Sequence, residues 1–159
     1  GYLEALASRD PGRAHLADAV RFTENGQLLP IGEGAWATAD RIGPYRHDFV
    51  DMVTGNIATI TTLTEGASRS ILVVRLQANA AGISEIETIV ARPDLMGREG
   101  PFAHGPDRLD ESGGPEVRWF ALIPPDERLS RAALRDTANG SAATAIFTSC
   151  RPTRRWPAP

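Results

Sequence analysis

Few residues of this chain could do chemistry, and they lie far apart. The first is Glu24, within VRFTENGQLLPIGEGAW at 20–36. At the two-residue period of a strand, Val20, Phe22 and Glu24 fall on one side. If that side is buried, the carboxylate loses water and either gains a partner or titrates above its usual value of about 4.3. A carboxyl raised in this way is what a general acid or base needs near neutral pH. The competing reading puts Glu24 at the strand end, hydrated or capping the turn. The second candidate is His47, in YRHD at 45–48. It is either a proton-transfer group or a solvated strand residue between Arg46 and Asp48. The third is Asp10, a carboxylate that also has the ordinary form of a helix cap before Pro11. Arg75 interrupts SILVVRLQ and shares a face with Ile71 and Val73. A cross-strand pair with Glu85 or Glu87 is favoured there over substrate binding. Trp36 reads as a core anchor before a cavity wall.

Other chemistries find no support. His15, His47 and His104 are widely separated, and neither His-x-His nor His-Glu-x-x-His occurs. GEG and GREG lack the strand–loop–helix setting of a phosphate loop. Cys150 is the single cysteine, so neither an internal disulfide nor a cysteine metal site is expected. No metal or cofactor is expected. The formal net charge of −3 argues against nucleic acid and anionic membranes as partners. All 17 basic residues are arginine. No apolar run approaches the roughly 20 residues of a membrane helix. No signal-like stretch opens the chain, and a cytoplasmic location is the expectation.

The elements that must position these residues follow in order. Tyr2 to Ser8 reads as helix, with Leu3, Leu6 and Ala7 on one side. A short helix from Asp10-Pro11 through Leu16 follows. Val20 then opens a strand, Asn25-Gly26 is a strong hairpin signal, and 28–31 is the return strand, loosened by Pro30. A second helix is expected over 33–42, stopped by Gly43-Pro44. From Tyr45 the period changes, and four strands with short turns form an antiparallel meander over 45–92. Its most certain member is SILVVRLQAN, whose apolar density places it centrally. Residues 93–126 are rich in Gly and Pro and read as a wrapping arm. Residues 127–140 read as a helix with Ser130 as cap and Gly140 as its end, and 141–159 as an irregular tail. Helices first and a sheet afterwards describe an α+β architecture. At 159 residues one domain with a proper core is expected, over 1–92.

YLEALASRDPGRAHLADAVRFTENGQ, with GEGAW and ISEIETIVAR later, resembles the opening and later segments of a poorly characterised family of the NTF2-like superfamily, also called SnoaL-like or ketosteroid-isomerase-like. The resemblance implies a curved sheet packed on N-terminal helices and enclosing a cone-shaped apolar cavity. It implies that catalytic groups come from three places, here Asp10, Glu24 and the run 45–48. Glu24 would be the base, or Asp10 with His47 would form a carboxylate–histidine dyad. A slip of one residue would flip His47 outward. Phe22, Trp36, Tyr45 and Arg75 would bind or shape the substrate. The implied activity is a cofactor-independent lyase or isomerase, working by proton abstraction on a small, mostly apolar or aromatic molecule. The alternative is a non-catalytic small-molecule-binding or dimerisation module, since this fold hosts both. A homodimer is expected through the outer sheet face. The resemblance also implies a second, similar unit, which 127–140 begins and the residues after Gly140 do not continue.

Overall fold

The computed structural model describes residues 1–93 and 103–149. The chain divides into two compact units, Gly1–Trp119 and Phe120 onward. The first is α+β. Helix α1 (Tyr2–Ala7) and a single 3-10 turn (Pro11–Arg13) lead into β1 (Leu16–Glu24) and β2 (Gln27–Leu28). One turn of helix, α2 (Ala35–Thr38), precedes β3 (Arg41–Asp51), β4 (Asn56–Glu65), β5 (Ser68–Asn79) and β6 (Gly82–Ala91). The six strands form one curved sheet in the order β2-β1-β6-β5-β4-β3. The strands β3 to β6 are the expected antiparallel meander, with β5 paired on both sides from Ile71 to Gln77. The pairing of β1 with β6 is parallel, so the first strand closes onto the last. This is the expected α+β architecture, a curved sheet with few helices.

Three local expectations need correction. The helix expected through Leu16 is only the 3-10 turn, and β1 begins at Leu16 itself. The return strand expected over 28–31 is Gln27–Leu28, because Pro30 has no N–H to give a ladder. The helix expected over 33–42 is a single turn. Asp40 accepts from the backbone N–H of Gly66 at 2.5 Å and pairs with Arg9, which draws the chain into β3 instead.

Alternation along the strands gives the sheet two distinct faces. The inner face carries Leu63, Leu72, Val74, Ile86 and Val90. These pack against Tyr2, Ala5, Leu6, Ala35, Trp36 and Ala39 from the helical segments and Phe22 from β1. Along β5, Ser70, Leu72, Val74 and Leu76 are buried and the residues between them half-buried. The outer face is apolar too, with Ile60, Val73 and Ile89 in register and Ile71 two residues before Val73 on the same side.

The region 93–126 is not all arm. It contains α3 (Gly105–Glu111), which docks on the outer face. Asp110 accepts from Thr62 Oγ1 at 2.7 Å and from the Tyr45 N–H at 3.3 Å, and Arg69 bonds both Asp107 and Asp110. Residues 94–102 lie outside the described residues. In the second unit Ser130 Oγ accepts from the Ala133 N–H at 3.1 Å, as a cap should. That helix, α4, runs Arg131–Ser149 and passes through Gly140. A lone glycine costs a helix only about 1 kcal/mol, and the Ala-rich stretch beyond it sustains the turn pattern. The remainder of the expected tail, 150–159, lies outside the described residues.

Candidate functional site

Glu24 ends β1 on the inner face and is 7% exposed. Its Oε2 accepts from the Ala35 N–H at 2.7 Å, at the start of α2. Its Oε1 accepts from Arg92 Nη2 at 3.1 Å and Nη1 at 3.2 Å. Arg92 also donates to both oxygens of Glu65 at 2.8 Å. Glu65 further accepts from Thr38 Oγ1 at 2.5 Å and Ser70 Oγ at 2.9 Å. Burial raises the Glu65 carboxyl, but the donors Arg92, Thr38 and Ser70 outweigh it and hold it below the usual range. Arg92 is raised, first by its hydrogen bonds to Glu65. The partner expected for a buried Glu24 is thus Arg92, with a backbone N–H beside it.

The surrounding segment is built for this clasp. Asn25 and Gly26 both have positive φ, 49° and 80°, which the tight turn requires. The Asn25 side chain continues the β1–β6 pairing, donating to Val90 O at 3.3 Å and accepting from Val90 N at 2.9 Å. A Cβ on Gly34 would lie 2.6 Å from Glu24 Oε2, so only glycine lets the loop close on the carboxylate. TENG and GEGAW are thus two halves of one structural clip, with Trp36 buried behind it at 1% exposure.

The structure does not gather the remaining candidates. Asp10 is exposed and caps its own turn, accepting from the Gly12 N–H at 3.0 Å. Its segment follows α1 on the inner side of the sheet. His47 points to the outer side, in register with Ile60 of β4, and Tyr45 lies on that side with it, while Arg46 and Asp48 point inward. The sheet stands between Asp10 and His47. His47 is 9% exposed, and its ring packs 4.2 Å from that of Phe49. Arg75 also lies on the outer face. It donates to Glu87 at 2.9 Å, Glu85 at 2.6 Å and Asn56 at 3.1 Å, which is the cross-strand pairing favoured from sequence. Phe22 is core, at 1% exposure.

A cavity of about 220 Å³ remains under α1 on the inner face. Its walls are Tyr2, Leu3, Ile57, Thr59, Val74 and Leu76, with Glu4 and Arg46 contributing charge. Beside it Asp48 accepts from Arg46 at 2.8 Å and Thr59 at 2.8 Å. Burial raises that carboxyl, and these two donors more than offset it, so Asp48 stays below the usual range. Tyr2 is a residue that sequence reasoning missed. Its ring meets Trp36 edge-on at 5.3 Å, with the indole N–H on the side of the Tyr2 oxygen, yet the Tyr2 hydroxyl finds no acceptor among the described residues. Burial drives the Tyr2 phenol well above its usual range, so it stays protonated. The signal was the helical spacing of Tyr2, Ala5 and Leu6. Arg92 and Glu65 had a signal as well, since each continues the buried two-residue period of its strand. Among the described residues no cluster of three His, Cys, Asp or Glu could hold a metal, and no helix is long and apolar enough to cross a membrane.

No family model matches the chain, and no curated protein matches it. Two solved structures are similar in backbone. One is described as a "putative ketosteroid isomerase" from Kribbella flavida, 17% identical over 81% of this chain and 90% of that one, with a TM-score of 0.45. The other is a de novo designed protein with a curved β-sheet, 15% identical over 69% of this chain and 81% of that one, with a TM-score of 0.40.

Proposed function

We propose that the unit Gly1–Trp119 binds a small, mostly apolar molecule carrying an acceptor oxygen, in the cavity beneath α1. The observation that carries this reading is Tyr2. It forms part of the cavity wall, and its buried hydroxyl has no acceptor among the described residues and remains a donor at neutral pH. A buried donor left unmade costs about 1–3 kcal/mol, which a ligand oxygen would recover. The test compares 1-tetralone with tetralin, the same ring system without the carbonyl, by calorimetry. The ketone is expected to bind about tenfold more tightly, and Tyr2→Phe to remove the difference. Equal affinity for both compounds, or binding of neither, overturns the reading.

Isomerase or lyase chemistry by proton abstraction is the second reading. Its support is that Glu24 is a buried carboxylate on the inner face, the face that also carries the cavity. For Glu24 to act as base, its Oε1 would have to release Arg92 as substrate enters. Glu24→Gln would then lower turnover by about a hundredfold or more with folding retained. The Asp10–His47 dyad belongs to neither reading, because the sheet separates its members. A homodimer through the outer face at Ile71, Val73 and Ile89 is also proposed, since these apolar side chains are half-buried or exposed there. Sedimentation that stays monomeric at every concentration would exclude it.

A further inference from the structure

The β3–β4 hairpin ends in a tip whose polarity is inverted. Phe49 and Val50 lie near the end of β3, and Met52 and Val53 stand in the turn that follows. All four are exposed, Met52 and Val53 at 87% and 81%. A surface turn ordinarily offers its polar groups to water. Here they are bonded to one another and to β5. The Asp51 carboxylate accepts from the Val53 N–H at 3.0 Å and the Thr54 hydroxyl at 2.6 Å. The Asp51 carbonyl accepts from the Gly55 N–H at 2.9 Å. Thr54 Oγ1 accepts from the Asn56 amide at 2.9 Å, and the Thr54 carbonyl from the Gln77 amide at 2.5 Å. The Ala78 N–H donates to the Gly55 carbonyl at 2.9 Å. A Cβ on Gly55 would lie 2.1 Å from the Ala78 carbonyl oxygen, so glycine lets the turn seat against β5.

Two features choose the medium that suits such a tip. A turn whose polar groups are bonded internally loses little on leaving water, which is the condition that lipid imposes. The apolar side chains also surround the tip. Phe49 and Val50 alternate to opposite faces of the sheet, and Met52 and Val53 lie beyond the last pair, Asp51 with Asn56. A flat protein partner would cover one face and leave the other in water, whereas a bilayer surface covers both. Since β3 is the edge strand, the sheet does not continue past it. The tip is far shorter than the roughly 9–11 residues of a membrane-crossing strand, so it can enter only the surface layer. Asp51 is the one charged residue in 49–55, and the formal net charge is −3. Attraction to anionic headgroups is therefore not the driving force; burial of apolar surface is.

We propose that the β3–β4 tip is a membrane-surface contact, inserting Met52 and Val53 into the interfacial layer of zwitterionic lipid. Ile57 pairs with Val50 and also lines the cavity under α1, so docking would bring that cavity towards the phase in which apolar molecules dissolve. The contact itself needs no ligand there, and Tyr2→Phe should leave it intact, so the two readings fail or succeed separately. The test is flotation of the full chain with phosphatidylcholine vesicles. Binding is expected to saturate with lipid and to change little with added salt. Met52→Asp together with Val53→Asp should lower it about tenfold or more. Both positions are so exposed that folding should survive, and an unchanged circular dichroism spectrum checks this. Leu28→Asp, at the opposite edge of the sheet and 70% exposed, should bind as the parent does. Met52→Trp should bind more tightly, with emission that shifts to the blue when vesicles are added. No flotation with phosphatidylcholine, flotation only with phosphatidylserine and lost in salt, or equal flotation of the double variant each overturns the proposal. So does a double variant that loses self-association while its vesicle binding is unchanged, since the tip would then be a protein contact.

Discussion

On the inner face Arg92 sits between Glu24 and Glu65, whose side chains are 8% and 7% exposed. On the outer face Arg75 sits between Glu85 and Glu87, 31% and 48% exposed. Each is one guanidinium between two carboxylates, and both join separate strands. The inner triad has lost most of its water, so each charge depends on the others and on the N–H and hydroxyl donors around them. The outer ladder keeps its water, which screens each pair. Identical chemistry therefore has opposite consequences, and burial decides which. For function, the difference removes Glu24 from the ranks of idle carboxylates awaiting a substrate. It is already engaged in joining β1, α2, β6 and β4.

The largest expected effect comes from breaking the inner triad. Arg92→Met leaves two carboxylates facing each other out of water. It should destabilise the first unit by about 3–5 kcal/mol in urea unfolding at neutral pH. A loss below about 1 kcal/mol would mean that the triad is hydrated and energetically like the outer ladder. Next is Gly34→Ala. It adds a Cβ 2.6 Å from Glu24 Oε2 at a backbone φ of 60°, a conformation that L side chains rarely adopt. The expected cost is about 2 kcal/mol, measured in the same way. Combined with Glu24→Ala, the steric part of that cost should vanish, and full additivity would show that the carboxylate is not what Gly34 accommodates.

How much of this was legible follows from the two faces. The meander, the Asn25-Gly26 turn, the Ser130 cap and the Arg75 pairing are local patterns, and each could be read from a few neighbouring residues. The orientation of His47 could not. Tyr45, His47 and Phe49 look like the core-facing set of β3, against Arg46 and Asp48. Yet the aromatic set faces outward, because α3 and the 114–119 segment cover it, and the charged set lines the inner cavity. When both faces of a sheet are apolar, the two-residue period tells which residues share a side but not which side is inside. The partner of Glu24 was hidden for another reason. Arg92 lies 68 residues away and reaches Glu24 only because β1 pairs in parallel with β6. What remained in the sequence was a hint: three strands whose buried period ends on a charge, at Glu24, Glu65 and Arg92.

Acid should separate the charged sites in a predictable direction. Burial raises Glu65 and Asp110, but their donors prevail, and both carboxyls titrate below the usual range when folded. A lowered folded value adds stability that is complete above the unfolded value, about 4 for carboxyls, and is lost as pH falls through the folded values. Unfolding free energy should therefore be level from neutral pH to about pH 5 and drop steeply below about pH 4. Asp110→Asn should flatten part of that drop at a cost of about 1–2 kcal/mol at neutral pH, through weaker docking of α3. An unchanged acid limb in Asp110→Asn would show that α3 is held by its apolar contacts instead.

The smallest effect should come from the outer ladder, and it is the sharpest test of the contrast. Arg75→Met removes three bonds, to Glu85, Glu87 and Asn56, and Arg92→Met removes four, to Glu24 and Glu65. Counting bonds would predict losses of similar size. Counting water predicts a much smaller one here. Glu85 keeps Arg21 at 3.0 Å, and each freed carboxylate is exposed enough to be rehydrated. The methionine stem also retains the apolar packing of the arginine chain beside Val73. The expected loss is below about 1 kcal/mol, and it should shrink further as salt is raised, because exposed pairs are screened within a Debye length of about 8–10 Å. Arg92→Met should show little of that salt dependence. If Arg75→Met instead cost as much as Arg92→Met, and was equally insensitive to salt, the outer face would have to be dehydrated in solution. That result would place a second molecule over it, in line with the proposed dimer, and a loss that grows with protein concentration would then accompany it.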